Sequence, residues 1–182
     1  MSKVAVMFAT GFEEVECITV VDLLRRAGVD VRTVSVTGDL YVTASHKVTI
    51  KADELIEDHD FDSTDMIVLP GGMPGTVNLG NTKILTDKIL EFDQQGKRLA
   101  AICAAPTVFG SLNILKGKRA CCYPGMEDGL LGAQSTTNKV EKDGNIITSR
   151  GVGTAIEFAL AIITELVGAS KADEIARGIV YR

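Results

Sequence analysis

The sequence predicts an α/β fold: a mostly parallel, doubly wound sheet with helices on both faces, a three-layer α/β/α sandwich. Three observations predict it. Short apolar runs recur at Val4–Ala9, Asp65–Leu69 and Leu99–Ile102, the pattern of strands covered on both faces. Stretches of helical periodicity separate these runs, with glycine caps at Gly28, Gly96 and Gly168. Finally, Val4 to Val36 reads as a complete strand–helix–strand unit with short loops, which implies parallel pairing.

In chain order, Val4–Ala9 is the first strand and Thr10-Gly11-Phe12 a turn. Glu13–Ala27 reads as a helix, with acids in its first turn, Arg25 and Arg26 in its last, and Val15, Ile18, Val21, Leu23 and Leu24 on its apolar side. Val29–Val36 is a β-branched second strand. Leu40–Ala44 and Lys47–Lys51 alternate apolar and polar, which suggests a small antiparallel excursion. Asp53–Glu57 reads as a short helix. The Asp65–Leu69 strand stops at Pro70-Gly71-Gly72, and Leu79–Phe92 carries helical periodicity. Leu99–Ile102 is the next strand, and Pro106 suits the first turn of a helix. Arg119–Cys122 is a short strand ended by Tyr123-Pro124-Gly125. Val140–Asp143 and Asn145–Thr148 flank a hairpin turn at Asp143-Gly144. Thr154–Val167 and Lys171–Gly178 are the closing helices. No repeat, low-complexity stretch or linker interrupts this order, so residues 1–182 are expected to form one domain of flavodoxin-like layout.

The bulk numbers exclude several function classes. A chain of 182 residues with 46% apolar and 24% charged residues can bury a sizeable core. Its net charge of −5 is a poor match to a nucleic-acid binder, and its densest basic cluster, Lys116–Arg119, reads as a solvated loop. No apolar segment reaches the roughly 18–20 residues a bilayer span needs. The apolar start at Val4–Phe8 runs straight into Glu13, Glu14 and Glu16, so it reads as a strand and a cytoplasmic location is expected. The four cysteines, Cys17, Cys103, Cys121 and Cys122, form no C-x-x-C, and there are only two histidines. No structural zinc site is expected; free thiols in a reducing compartment are the simplest reading.

Ligands of such sheets sit beyond the C-terminal strand ends. The loops at Ala9–Glu16, Leu69–Gly72 and Ile102–Ala105 should therefore converge. Cys103 ends its strand among the small residues Ala101, Ala104 and Ala105, just before Pro106. A nucleophile between a strand and a helix sits on a tight bend in the positive end of the helix dipole, which favours thiolate. Taken alone, a cysteine at a strand end is more often packing than chemistry. Gly71 and Gly72 permit close approach of a substrate, and the N–H groups of Gly72 and Ala104 are candidate oxyanion donors; a plain tight turn also explains Pro-Gly-Gly. Glu13 reads as a solvated helix-start acid. Glu16 faces the top of the sheet if Val15 and Ile18 bury, and desolvation there would raise its pKa and fit it for proton transfer. The first strand–helix turn has one glycine instead of G-x-G-x-x-G, and no P-loop is present. Gly151-Val152-Gly153 reads as a strand-to-helix turn. A Cys-His-Glu triad fails because His46 and His59 both precede Cys103.

Six stretches together, Gly11–Glu16, Arg25–Gly28, Val68–Gly72, Ala100–Pro106, Val140–Gly144 and Thr148–Thr154, resemble the ThiJ/PfpI superfamily, and within it the parkinsonism-associated deglycase branch and its bacterial relatives. The likeness runs from about Val4 to Gly168. It implies that Cys103 is an oxidation-prone nucleophile, that Glu16 is its acid partner, and that Gly72 and Ala104 supply backbone donors. It implies a homodimer with the first helix near the interface, no cofactor or metal, and small reactive aldehydes or glycated molecules as substrates. Glyoxalase, deglycase, redox-sensing and chaperone activities are all associated with the family. Two positions depart from it: Tyr123 stands where the branch has a histidine, and His46 where it has an arginine at the rim of the partner's site. The histidine that follows the cysteine in PfpI-type peptidases is replaced by Ala104, which argues against a peptidase.

Overall fold

Side chains alternate across a strand, and the first strand shows the consequence. In β1 (Lys3–Phe8), Val4, Val6 and Phe8 enter one apolar cluster while Ala5 and Met7 enter another. The structure, a computed structural model, describes residues 1–181. After β1 come α1 (Glu14–Arg26), β2 (Asp30–Ser35), a hairpin of β3 (Tyr41–Thr43) and β4 (Thr49–Lys51), β5 (Glu54–Leu55) and β6 (Met66–Leu69). Then follow α2 (Gly75–Asn81), α3 (Lys83–Gln94), β7 (Arg98–Ile102), α4 (Pro106–Ser111), β8 (Arg119–Ala120), β9 (Gln134–Ser135), β10 (Val140–Asp143), β11 (Ile146–Ser149), α5 (Ala155–Leu166) and α6 (Ala169–Gly178).

Seven strands form the central sheet in the order β10-β11-β7-β6-β1-β2-β5. All neighbours are parallel except the β10–β11 hairpin. Residues of α1, α5 and α6 share the cluster with Val4, Val6 and Phe8; those of α2, α3 and α4 share the cluster on the opposite face. The doubly wound, three-layer layout is as the sequence predicts. No helix among the described residues is long and apolar enough to cross a membrane.

Several local expectations are corrected. The Leu79–Phe92 helix is two helices, broken at Thr82, whose backbone is extended (ψ 99°). Asp53–Glu57 is not a helix: Glu54–Leu55 pairs with β2 as an edge strand, and a single 3-10 turn, Ile56–Asp58, follows. Arg119–Cys122 shortens to β8, which pairs with β9 outside the main sheet. Val15 and Ile18 are 48% and 38% exposed; the buried face of α1 is Glu16, Cys17, Val20, Val21, Leu23 and Leu24. Apolar residues cover so much of this helix that periodicity alone does not choose the buried arc. Packing against α5 in the shared cluster chooses it, and puts Glu16 inside.

Candidate active site

Parallel strands bring their C-terminal ends to one edge of the sheet. The loops after β1, β6, β7 and β11 therefore meet around Cys103. Cys103 follows β7 directly with φ +66°, a left-handed conformation that a side chain with Cβ adopts only when its surroundings enforce it. Two hydrogen bonds enforce it: the Cys103 N–H donates to Ser149 O at 3.0 Å, and Tyr123 N–H donates to Cys103 O at 2.8 Å. The elbow is thus tied to the end of β11 on one side and to the Tyr123 loop on the other.

Glu16 reaches the same point from the buried face of α1. Its side chain is fully buried, and Oε2 accepts the Gly71 N–H at 2.9 Å. Oε1 is buried with no hydrogen-bond partner of ordinary geometry, although the carboxyl and the Cys103 thiol are close enough to shift each other's protonation. Gly71 has to be glycine here: a Cβ would lie 2.5 Å from Cys103 Cβ, 2.7 Å from Glu16 Oε2 and 3.0 Å from Cys103 Sγ. Gly72 has φ +90°, and its Cβ would meet Glu13 N at 2.4 Å. The Gly72 and Ala104 N–H groups lie close enough to the Cys103 sulfur to favour its thiolate.

The electrostatics follow from burial. Desolvation raises the Glu16 carboxyl to about 7, with the Cys103 and Gly71 hydrogen bonds pulling the other way and the Glu13 charge adding to the rise. Burial first, then the charge and hydrogen bond of Glu16, push the Cys103 thiol up to about 12, against the lowering by Gly72 and Ala104 N–H. The expectation that the helix dipole favours thiolate is therefore corrected: α4 has six residues, and burial beside a carboxylate outweighs it. The carboxyl gives up its proton near neutrality, and the thiol keeps its own. Thiolate with carboxylic acid is one proton transfer from thiol with carboxylate.

An open cavity of about 520 Å³ lies over this pair, lined by Glu13, Glu16, Gly72, Cys103, Tyr123 and Arg150 among others. Gly71 and Ala104 stand just behind the wall and act through their backbone N–H groups. Tyr123 is 52% exposed, with its ring edge 3.5 Å from where a Cβ on Gly151 would stand. His46 does not line the cavity. It sits exposed on the outer side of Glu13 and Glu14, with Nδ1 3.1 Å from Glu14 Oε2 and its N–H donating to Glu14 Oε1.

Glu13 differs from its solvated reading. It is 9% exposed, caps α1 by accepting Val15 N–H at 3.3 Å, and accepts from Ser45 Oγ at 3.2 Å. Ligand-type atoms of Glu13, Glu14 and His46 cluster within 4.8 Å, and capping and mutual hydrogen bonding account for their positions. Arg150 and Gly151 were not legible as site residues from the sequence. The signal for them was topological: they follow β11, which lies next to β7.

An α/β sandwich with a cysteine on a strained elbow, two backbone N–H groups near its sulfur and a buried acid beside it defines a class of cysteine-centred proteins. The chain belongs to the DJ-1/PfpI family, whose pattern matches residues 2–165. Drosophila melanogaster protein dj-1beta is 42% identical over 99% of this chain and 98% of its own length. Protein DJ-1 homolog B of Arabidopsis thaliana is 40% identical, and the chain spans 42% of that longer protein. A protein named a deglycase from Pyrococcus abyssi is 32% identical over 83% of this chain and 91% of its own length. The structure of Toxoplasma gondii DJ-1, described as oxidised, superposes with a TM-score of 0.95 at 36% identity, covering 99% of this chain and 98% of that one.

Proposed function

We propose that the protein is a cofactor-independent cysteine enzyme acting on reactive carbonyls, of glyoxalase or deglycase type. The observation that carries this is the buried Glu16 carboxyl, raised to about 7 beside Cys103. A group half-protonated at neutral pH both takes and returns a proton. The deglycase-named relative supports the substrate class.

For an α-oxoaldehyde the chemistry balances without an external redox partner. Glu16 takes the thiol proton, the thiolate adds to the aldehyde carbon, and Glu16 returns the proton to the new alkoxide, giving a hemithioacetal and a free carboxylate. The Gly72 and Ala104 N–H groups, close to the sulfur, are the donors for the developing oxyanion. Glu16 then moves a proton from the former aldehyde carbon to its neighbour while the hydroxyl proton passes to the ketone oxygen, which leaves a hydroxy-acyl thioester. Water releases the hydroxy acid and restores the thiol. Among the described residues no histidine lines the cavity, which leaves the Glu16 carboxyl beside Cys103 as the proton carrier. The test is lactate formation from methylglyoxal by purified protein: Cys103→Ser should abolish it, and an unchanged rate would refute the mechanism.

A second reading, peroxide sensing, has one observation behind it. Among the described residues Cys103 is the one cysteine not fully buried. Stepwise peroxide oxidation to sulfinate would add two oxygens at Cys103 and release two waters, with Glu16 and the two N–H donors holding the product. Uniform oxidation of all four cysteines would count against it.

The functional unit is proposed to be a homodimer. Val15, Ile18 and Val48 are exposed and line an apolar groove with Ile50 on the outer side of α1, a surface of the kind an isologous interface covers.

A further inference from the structure

The cavity over Cys103 is larger than a three-carbon oxoaldehyde needs. It measures about 520 Å³, within the range of roughly 300–1,000 Å³ that holds much larger ligands. Its charge is also uneven. Glu13 and Glu16 stand on the α1 side, Lys139 and Arg150 on the side of the β10–β11 hairpin. The Lys139 ammonium already pairs with Glu157 at 2.6 Å. The Arg150 guanidinium meets no carboxylate among the described residues. Its contacts are the carbonyl oxygens of Cys122 and Thr137, both at 3.5 Å, the far limit of a hydrogen bond. A half-buried fork of five donors is thus left largely unused at the cavity wall.

Strand register says where this cation stands. Ser149 of β11 pairs with Ile102 of β7. Arg150 and Cys103 are the residues that directly follow these paired strand ends, and the Cys103 N–H donates to Ser149 O at 3.0 Å. Both line the same cavity, so a small molecule whose carbonyl is at Cys103 has the Arg150 side chain on the wall available to its other end.

We propose that Arg150 is a specificity-determining residue that anchors a carboxylate or phosphate on the substrate, so that preferred oxoaldehydes are anionic. The proposal rests on the reactive-carbonyl reading above. Planar bidentate pairing is what guanidinium does best with either group. Glu13, across the cavity, repels the same anion, so the molecule enters in one orientation: charged end to Arg150, aldehyde to Cys103.

The test compares kcat/KM for 4,5-dioxopentanoate with that for neutral 2-oxopentanal, in wild type, Arg150→Met and Arg150→Lys. Wild type should favour the anion by roughly 10- to 100-fold, the worth of a charged bidentate hydrogen bond. Arg150→Met should erase that ratio, and Arg150→Lys should keep part of it. A phosphate-bearing oxoaldehyde as a third substrate separates phosphate from carboxylate recognition. No preference in wild type, or an equal loss on both substrates in Arg150→Met, would overturn the proposal. A readout independent of turnover uses Cys103→Ser protein titrated with 4-oxopentanoate or inorganic phosphate and followed by amide shifts at Gly151 and Thr154. Saturable shifts that vanish on adding Arg150→Met support the anchor. If no oxoaldehyde is turned over but this binding persists, the catalytic reading fails and the anion site stands. If neither anion binds, the anchor is refuted.

Discussion

Glu16 sets stability against chemistry. Burial holds its folded-state pKa at about 7, above the ordinary value of 4.5. The folded chain therefore keeps a proton that the unfolded chain has lost. The stability that proton supplies is full below about pH 4.5 and drains away as pH rises through about 7, a loss on the order of 3 kcal/mol. Glu16→Gln cannot lose it. Measured by thermal unfolding at pH 5 and pH 8, the Tm of Glu16→Gln minus that of wild type should be several degrees more positive at pH 8. An identical difference at both pH values would show that Glu16 is not held as a buried acid. The sequence suggested a raised pKa for Glu16 from a premise that did not hold, the burial of Val15 and Ile18; the residue is inside because the opposite arc of α1 packs inward.

Among elements, the loop after β6 holds the site together. Gly71 O accepts Glu13 N–H at 2.9 Å while Gly71 N–H donates to Glu16, so this loop and the start of α1 clasp each other. Gly72, with φ +90°, has backbone on all sides: a Cβ would fall 2.4 Å from Glu13 N and 2.6 Å from Gly11 O. Backbone cannot rotate away as a side chain can, so Gly72→Ala should cost roughly 2–3 kcal/mol. A lowered denaturant midpoint at unchanged slope would register this; an unshifted midpoint would mean the loop is less constrained than its geometry implies. Long, strongly patterned elements were legible in the sequence, and short ones were not. Two-residue β5 and β8 have too few residues to show a period. The gap at Thr82 was hidden because Leu85, Ile89 and Phe92 keep helical spacing on its far side and Leu79 reads as the start of the same run.

At the scale of the whole molecule, sheet order explains both what the sequence revealed and what it concealed. The convergence of the loops carrying Glu16, Gly72 and Cys103 was legible because β1, β6 and β7 read as buried parallel strands. Arg150 was not, because nothing local to Thr148–Thr154 says that β11 lies beside β7. The outer side of α1 carries the prediction about assembly. Ile18 is exposed in the single chain, so Ile18→Glu should leave folding intact and convert a dimer to a monomer in sedimentation. A variant that remains dimeric would place the interface elsewhere, and a monomeric wild type would refute the dimer. The central claim is that Cys103 works with Glu16 as its proton carrier. Its most direct test is the pH dependence of kcat/KM for methylglyoxal in wild type and Glu16→Gln. Wild type should show an inflection near pH 7, and Glu16→Gln should lose both that inflection and roughly 100- to 10,000-fold in rate. A Glu16→Gln enzyme with the wild-type rate and profile would contradict the account.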